Sequence, residues 1–244
     1  MDSTGTFLRK SLIFNLCFLL LTPRDAFLKS SLSLIATSRI GIQNRSTITF
    51  KNAVSIIAKN TPRKFLDAVS SAGGKPLYRG EGEIECMLMK PDPDLLLPDT
   101  YADAQALEYF RGLEKFLTEI ESTRTNQDEN ANGVFVAKPS TGHIATPSSE
   151  EARNWGVPMT VWPIGKEFSF VYPTQRKLFY HDSTTTTPLY TREDLEVNSN
   201  LKEALVRGNE VMFATRDIFG SISSAYIAVP EVYSRKLLSA LKLI

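Results

Sequence analysis

The chain has 244 residues, of which 42% are apolar and 23% charged, a composition typical of a soluble globular protein with a sizeable core. Its formal charge of +1 is unevenly distributed, because residues 1–66 carry ten Lys or Arg against two Asp. Residues 67–244 carry 18 basic and 25 acidic side chains, a net charge of −7. Such an acidic segment is not expected to be a general binder of nucleic acid or of anionic lipid.

The N-terminal segment has the pattern of a signal peptide. Two basic residues precede an apolar run over residues 11–22, which is too short to span a bilayer comfortably. Pro23 ends this run, and Ala26–Phe27 offers a small-residue cleavage point. We expect residues 1–26 to be removed, which leaves no transmembrane anchor in the mature protein. A single-span anchor is the alternative interpretation.

Residues 27–50 have the composition of a transit peptide, with scattered Lys and Arg and many Ser and Thr. No acidic residue occurs between Phe27 and Leu66. A signal peptide, an aromatic residue at the junction and a basic, hydroxyl-rich stretch resemble the two-part presequence of proteins sent into the complex plastids of algae such as diatoms. The resemblance implies delivery to a plastid through the secretory pathway. A plain secretory or mitochondrial leader is the alternative.

Residues 51–244 are predicted to form one domain of the α+β class. Apolar periodicity and end signals predict helices at residues 52–58, 63–71, 101–121, 201–206 and 231–243. Short β-branched and aromatic runs predict strands at residues 77–79, 84–89, 134–137, 143–146, 159–162, 168–172, 178–180, 211–214 and 225–229. Many short strands with few helices between them favour a mixed, largely antiparallel sheet with flanking helices. The polar residues 122–133 are expected to form an exposed loop.

Several familiar catalytic and metal-binding motifs are absent from the sequence. It contains no Gly-rich phosphate loop, no Cys or His pattern for zinc and no Gly-x-Ser-x-Gly motif, so no metal is expected. His143 and His181 are the only histidines, and both are interpreted as structural. Cys86 would be the single cysteine of the mature domain, which excludes an intrachain disulfide.

Three segments follow one another in an order that resembles the ADP-ribosyltransferase superfamily. Leu77–Gly80 is a predicted strand that ends in Arg-Gly. Ile144–Ser148 is a predicted strand that leads into a short helix ending at Gly156, and Glu210 opens a later strand. The family has an Arg on its first core strand, then a Ser-Thr-Ser segment and then a Glu at the start of a later strand.

The resemblance implies a binding site for NAD as co-substrate. Arg79 would contact the phosphates or ribose of NAD, and Thr146 and Ser148 would brace the cofactor site. Glu210 would be the catalytic residue, because a carboxylate stabilises the positive charge that develops as the nicotinamide glycosidic bond breaks. The implied activity is transfer of ADP-ribose to an unknown acceptor, or hydrolysis of NAD.

A noncatalytic α+β protein that serves binding or assembly in the plastid is the alternative. Ala145 and Pro147 stand where the family segment has serines. Gly208 stands where the arginine-modifying members have a second acidic residue, so the sequence does not indicate arginine as the acceptor.

Each motif also has a structural interpretation. Arg79 can form an ion pair with one of the glutamates at positions 81, 83 and 85. Ser148 and Glu151 have the spacing of a helix capping box. Glu210 can be an exposed residue that begins an edge strand.

Overall fold

The computed structural model describes residues 44–81, 84–90, 104–127, 135–174, 179 and 193–244. The predicted leader up to residue 43, most of the predicted strand at 178–180 and His181 lie outside the described residues. The prediction of an α+β fold is confirmed, because the described residues form two antiparallel sheets accompanied by α-helices.

The described part of the chain contains six α-helices and nine strands. The helices are α1 Phe50–Asn60, α2 Arg63–Ser71, α3 Ala104–Gln127, α4 Ser149–Arg153, α5 Leu201–Arg207 and α6 Ser234–Ala240, with a 3₁₀ turn at Glu231–Tyr233. The strands are β1 Asn44–Thr47, β2 Leu77–Glu81, β3 Met87–Lys90, β4 His143–Ala145, β5 Val157–Pro163, β6 Glu167–Pro173, β7 Leu195–Val197, β8 Val211–Arg216 and β9 Tyr226–Pro230. Among these helices none is both long and apolar enough to cross a membrane.

The strands are divided between two sheets, which a backbone bridge links at the edge strand of the first. The first sheet has the order β1-β3-β9-β5-β2 and the second the order β4-β8-β6-β7. The Tyr78 amide donates to the Thr146 carbonyl at 2.6 Å, and the Thr146 amide donates back at 2.9 Å. This bridge joins the edge strand β2 to β4. The fold also includes β1, which lies ahead of residue 51, where the domain is predicted to begin.

Side chains of the second sheet alternate between two apolar cores. Phe170 and Tyr172 of β6 pack in the larger core, which also contains Phe65 of α2 and Trp162 of β5. Val171, between them, packs in a smaller core with apolar residues of α3. Because β6 is covered on both faces, its residues 170–172 are three consecutive apolar side chains rather than an alternating pattern.

Helix α3 extends beyond its predicted end at residue 121, so the prediction of a loop is wrong for residues 122–127. The Ser122 hydroxyl donates to the Thr118 carbonyl at 2.9 Å, and the Thr123 hydroxyl donates to the Glu119 carbonyl at 2.8 Å. These polar side chains bond one turn back along the helix, and the helix continues through a segment that has few apolar residues.

The predicted strand at residues 134–137 is wrong in its described part, because residues 135–137 pair with no strand. The Val136 amide donates to a Glu121 carboxylate oxygen at 3.1 Å, and the Ala137 amide donates to the Ser169 hydroxyl at 2.8 Å. Side chains from α3 and β6 therefore take the place of a neighbouring strand. Strand β7, which is not among the predicted strands, pairs with β6.

Candidate functional site

The backbone brings the three predicted motif segments together where the two sheets meet. Tyr78, next to Arg79, is bridged to Thr146. The β4–β8 ladder ends at the pair Ala145 and Val211, so Thr146 and Glu210 each lie one residue beyond it. The backbone segments that carry Arg79, Thr146 and Glu210 therefore lie close together. Their possible chemistry depends on the contacts of the side chains.

The Arg79 guanidinium is bonded to groups within the protein. Its side chain is 15% exposed, and Nε donates to Oε1 of Glu81 at 3.2 Å. Nη1 donates to the Ile144 carbonyl at 2.6 Å. Arg79 and Glu81 are two residues apart on β2, which places both side chains on one face of the strand. Glu81 is thus the partner among the three glutamates that the sequence offered.

Tyr226 of β9 completes this buried group. Its hydroxyl donates to the same Oε1 of Glu81 at 2.9 Å. Burial raises the pKa of Tyr226, and the Glu81 carboxylate, which accepts its hydrogen bond, also favours the neutral phenol. The hydroxyl therefore remains a donor at neutral pH. The sequence contains no local sign of this contact, because 145 residues separate Tyr226 from Glu81.

Gly80 has a packing role beside Arg79. A Cβ atom at this position would lie 2.4 Å from the Ala152 carbonyl oxygen and 2.5 Å from the Trp155 carbonyl carbon. Only a glycine lets the end of α4 approach β2 this closely. The glycine of the Arg-Gly pair that supported the family resemblance is therefore used in packing α4 against β2.

Thr146 and Ser148 form the N-terminal cap of α4. The Ser148 hydroxyl accepts from the Glu151 amide at 3.2 Å, as the capping interpretation predicts. The Glu151 carboxylate accepts from the Thr146 hydroxyl at 2.5 Å. Thr146 is fully buried, and its hydroxyl also accepts from the Ser148 amide at 3.2 Å. Both hydroxyls therefore contribute to the turn between β4 and α4.

Glu210 is 6% exposed, and its Oε2 accepts a hydrogen bond from the Phe179 amide at 2.9 Å. Its strand, β8, lies between β4 and β6, so the interpretation of Glu210 as an exposed residue of an edge strand is wrong. The adjacent Asn209 is 3% exposed and donates from its amide to the Pro173 carbonyl. Both side chains thus bond to backbone groups of other segments. We refer to Arg79, Glu81, Thr146, Glu151 and Glu210 as the motif region.

A cleft of about 340 Å³ lies next to the motif region, a size that suits a small molecule. It is bounded by the start of β2, the turn before α4 and the C-terminal end of α5. Tyr78, Ser148 and Glu151 are among its lining residues. Of the four predicted site residues, Ser148 lines this cleft, whereas Arg79, Thr146 and Glu210 do not.

The described histidine is part of the core. His143 is 7% exposed, and its Nε2 lies 2.9 Å from the Ser224 carbonyl oxygen. Its ring packs against Phe213 and Tyr226. In the part of the chain that the structure describes, no group of three His, Cys, Asp or Glu side chains is placed to hold a metal ion.

Comparison of this chain with protein-family models, with curated proteins and with solved structures found no match. The resemblance to the ADP-ribosyltransferases therefore rests on the motif residues themselves.

Proposed function

We propose that this chain is a noncatalytic α+β binding protein of the plastid, in which the motif region stabilises the fold. The observation that carries the proposal is the state of Glu210, which is 6% exposed and bonded to the Phe179 amide. A carboxylate that stabilises an oxocarbenium-like transition state must face the sugar ring. Delivery to the plastid rests on the sequence pattern of residues 1–50.

Arg79 supports the same proposal. A guanidinium that holds the phosphates of a dinucleotide offers its two-pronged edge to them. Here Nε and Nη1 donate to Glu81 and to the Ile144 carbonyl. Phosphate binding through Nε and Nη1 would break both hydrogen bonds and leave the Glu81 carboxylate, in a residue that is 6% exposed, without its cation.

The second candidate is an ADP-ribosyltransferase or NAD glycohydrolase with Glu210 as the catalytic residue. The position of Thr146 and Glu210, each one residue beyond the end of the β4–β8 ladder, favours it, as does the cleft lined by Ser148. In this candidate Arg79, Thr146 and Ser148 hold NAD. Glu210 would have to exchange its bond to the Phe179 amide for one to the nicotinamide ribose.

Nicotinamide release from NAD by the purified full-length chain distinguishes the two candidates. We expect no release from the parent or from Glu210→Gln, which keeps an oxygen that can accept from the Phe179 amide. Glu203→Gln is the matched control, because Glu203 is a partly exposed acid on α5 that pairs with Arg207 on the surface. Release by the parent and by Glu203→Gln, with loss in Glu210→Gln, would overturn the proposal in favour of the enzyme.

Titration of NAD into the same samples determines what remains of the family resemblance. Binding without turnover that weakens in Ser148→Ala would identify an inactive dinucleotide-binding relative that uses the 340 Å³ cleft. The absence of NAD binding would leave a noncatalytic protein with a different ligand.

A further inference from the structure

A second cavity lies on another part of the molecule. This groove of about 800 Å³ is bounded by the end of α1 and the turn that follows it, the end of β3, the β5–β6 turn and the β8–β9 loop. Its volume is within the range of small-molecule sites. None of the four predicted site residues lines it.

Three lysines from separate elements converge on this groove. Lys59 comes from the last turn of α1, Lys90 from the end of β3 and Lys166 from the β5–β6 turn. Among the described residues, none of the three forms an ion pair with a carboxylate. The groove therefore offers three ammonium groups to an anion.

The acidic side chain that lines the groove, Asp217, is hydrogen-bonded to its own loop. Asp217 lines the β8–β9 side, and its Oδ1 accepts from the Phe219 amide at 2.8 Å and from the Ser221 amide at 3.0 Å. These two bonds hold the carboxylate against its own loop. The groove lining named here thus carries three positive charges against one negative charge.

Thr61 provides independent evidence for a ligand. It lines the groove at the C-terminal end of α1 and is 7% exposed. Its hydroxyl oxygen is buried and has no hydrogen-bond partner within the described part of the protein. Buried hydroxyls are nearly always paired, so the Thr61 hydroxyl requires a partner beyond the described residues, a water or a ligand in the groove.

Apolar side chains lie beside the cations. Ile164, Ile218 and Ile222 line the groove, and Ile218 is 72% exposed. Exposed isoleucines next to lysines favour a ligand that has both an apolar part and an anionic group.

We infer that the groove binds a small phosphate ester with an apolar or aromatic portion. The phosphate accepts hydrogen bonds from the three lysines and from the Thr61 hydroxyl, and the apolar portion packs on the isoleucines. This inference deepens the proposed function and rests on it, because it names the ligand class of a protein that binds without turnover.

Calorimetric titration of the full-length chain with phenyl phosphate tests the inference. Inorganic phosphate and phenol are titrated alongside as the two halves of the probe. We expect phenyl phosphate to bind more tightly than either half and to weaken as salt is added, since charge attraction is screened. Equal binding of phenol and phenyl phosphate, or no binding of phenyl phosphate, would overturn the inference.

Variants locate the binding. Lys59→Met and Lys166→Met each remove a hydrogen bond to a charged group and should weaken binding of phenyl phosphate roughly tenfold. Thr61→Val keeps the side-chain shape and should also weaken binding. Lys51→Met is the matched control, because Lys51 is an exposed lysine of α1 that does not line the groove. If all four variants bound phenyl phosphate with the same affinity as the parent, the inference would be contradicted.

The two proposals fail in different assays. If the phosphate-ester inference is wrong, the groove variants will bind phenyl phosphate as tightly as the parent, and nicotinamide release will still be absent. Failure of the noncatalytic proposal would appear as nicotinamide release that depends on Glu210.

Discussion

The motif region and the groove use similar polar side chains in opposite ways. In the motif region each of the five side chains is bonded to another part of the protein, such as Arg79 to Glu81. In the groove, the three lysines form no ion pair and the Thr61 hydroxyl has no hydrogen-bond partner among the described residues. Polar groups that satisfy one another stabilise a fold, whereas a convergent set of unsatisfied groups is available to a ligand.

Loss of the Glu81 carboxylate is expected to have the largest effect on stability. Glu81→Ala leaves the Arg79 guanidinium buried without its anion and the Tyr226 hydroxyl without its acceptor. Removing one partner of a buried ion pair costs about 3–5 kcal/mol. Urea unfolding of the parent and the variant measures this difference in the free energy of unfolding.

Glu81→Gln is the control for this prediction. The amide fills the same space and can still accept from Tyr226, so its loss of stability should be smaller than that of Glu81→Ala. If Glu81→Ala were as stable as the parent, the motif region would not be structural, and the contrast with the groove would be lost.

The same substitution at two buried threonines is expected to have opposite effects. Thr146→Val removes the donor to the Glu151 carboxylate and should destabilise the protein by about 1–3 kcal/mol. Thr61→Val removes a hydroxyl that has no partner within the described residues, so the unliganded protein should be as stable or more stable.

The two threonines are compared by urea unfolding without any phosphate in the buffer. Each serves as the control for the other, because both are less than 10% exposed and the change in shape is identical. Equal destabilisation by the two variants would mean that the Thr61 hydroxyl is bonded within the protein.

The sequence was sufficient to predict the α+β class, because regular apolar patterns produce the central elements. Strands β5, β6 and β8 follow apolar runs that are buried in the two cores. The prediction of strands failed where side chains replace backbone pairing, as at Val136, whose amide donates to the Glu121 carboxylate. Strand β7 contains one β-branched residue, Val197, and no aromatic residue, so it lacks the composition that predicts strands elsewhere in the chain.

The hydrogen-bond partners of the candidate site residues were harder to predict than the positions of these residues in the fold. Glu210 is bonded to the Phe179 amide, which lies 31 residues away in the chain. The order of the motifs predicted that Arg79, Thr146 and Glu210 belong to neighbouring backbone segments, but not that their side chains are used internally. The groove gives no local signal either, because Lys59, Lys90 and Lys166 are brought together only by the fold.

The smallest of the expected effects appears at alkaline pH. Burial raises the pKa of Tyr226 above its ordinary value of 10.0, so the unfolded chain releases this proton at a lower pH than the folded protein. The contribution of Tyr226 to the free energy of unfolding should therefore be constant below about pH 10. Above that pH it should fall by at most about 1.4 kcal/mol per pH unit. Tyr226→Phe should fall less steeply, although burial also raises the pKa of Tyr78 and of Tyr172, which retain part of the slope. Urea unfolding between pH 8 and pH 11 measures both slopes, and equal slopes would mean that the Tyr226 phenol is not held neutral by the motif region.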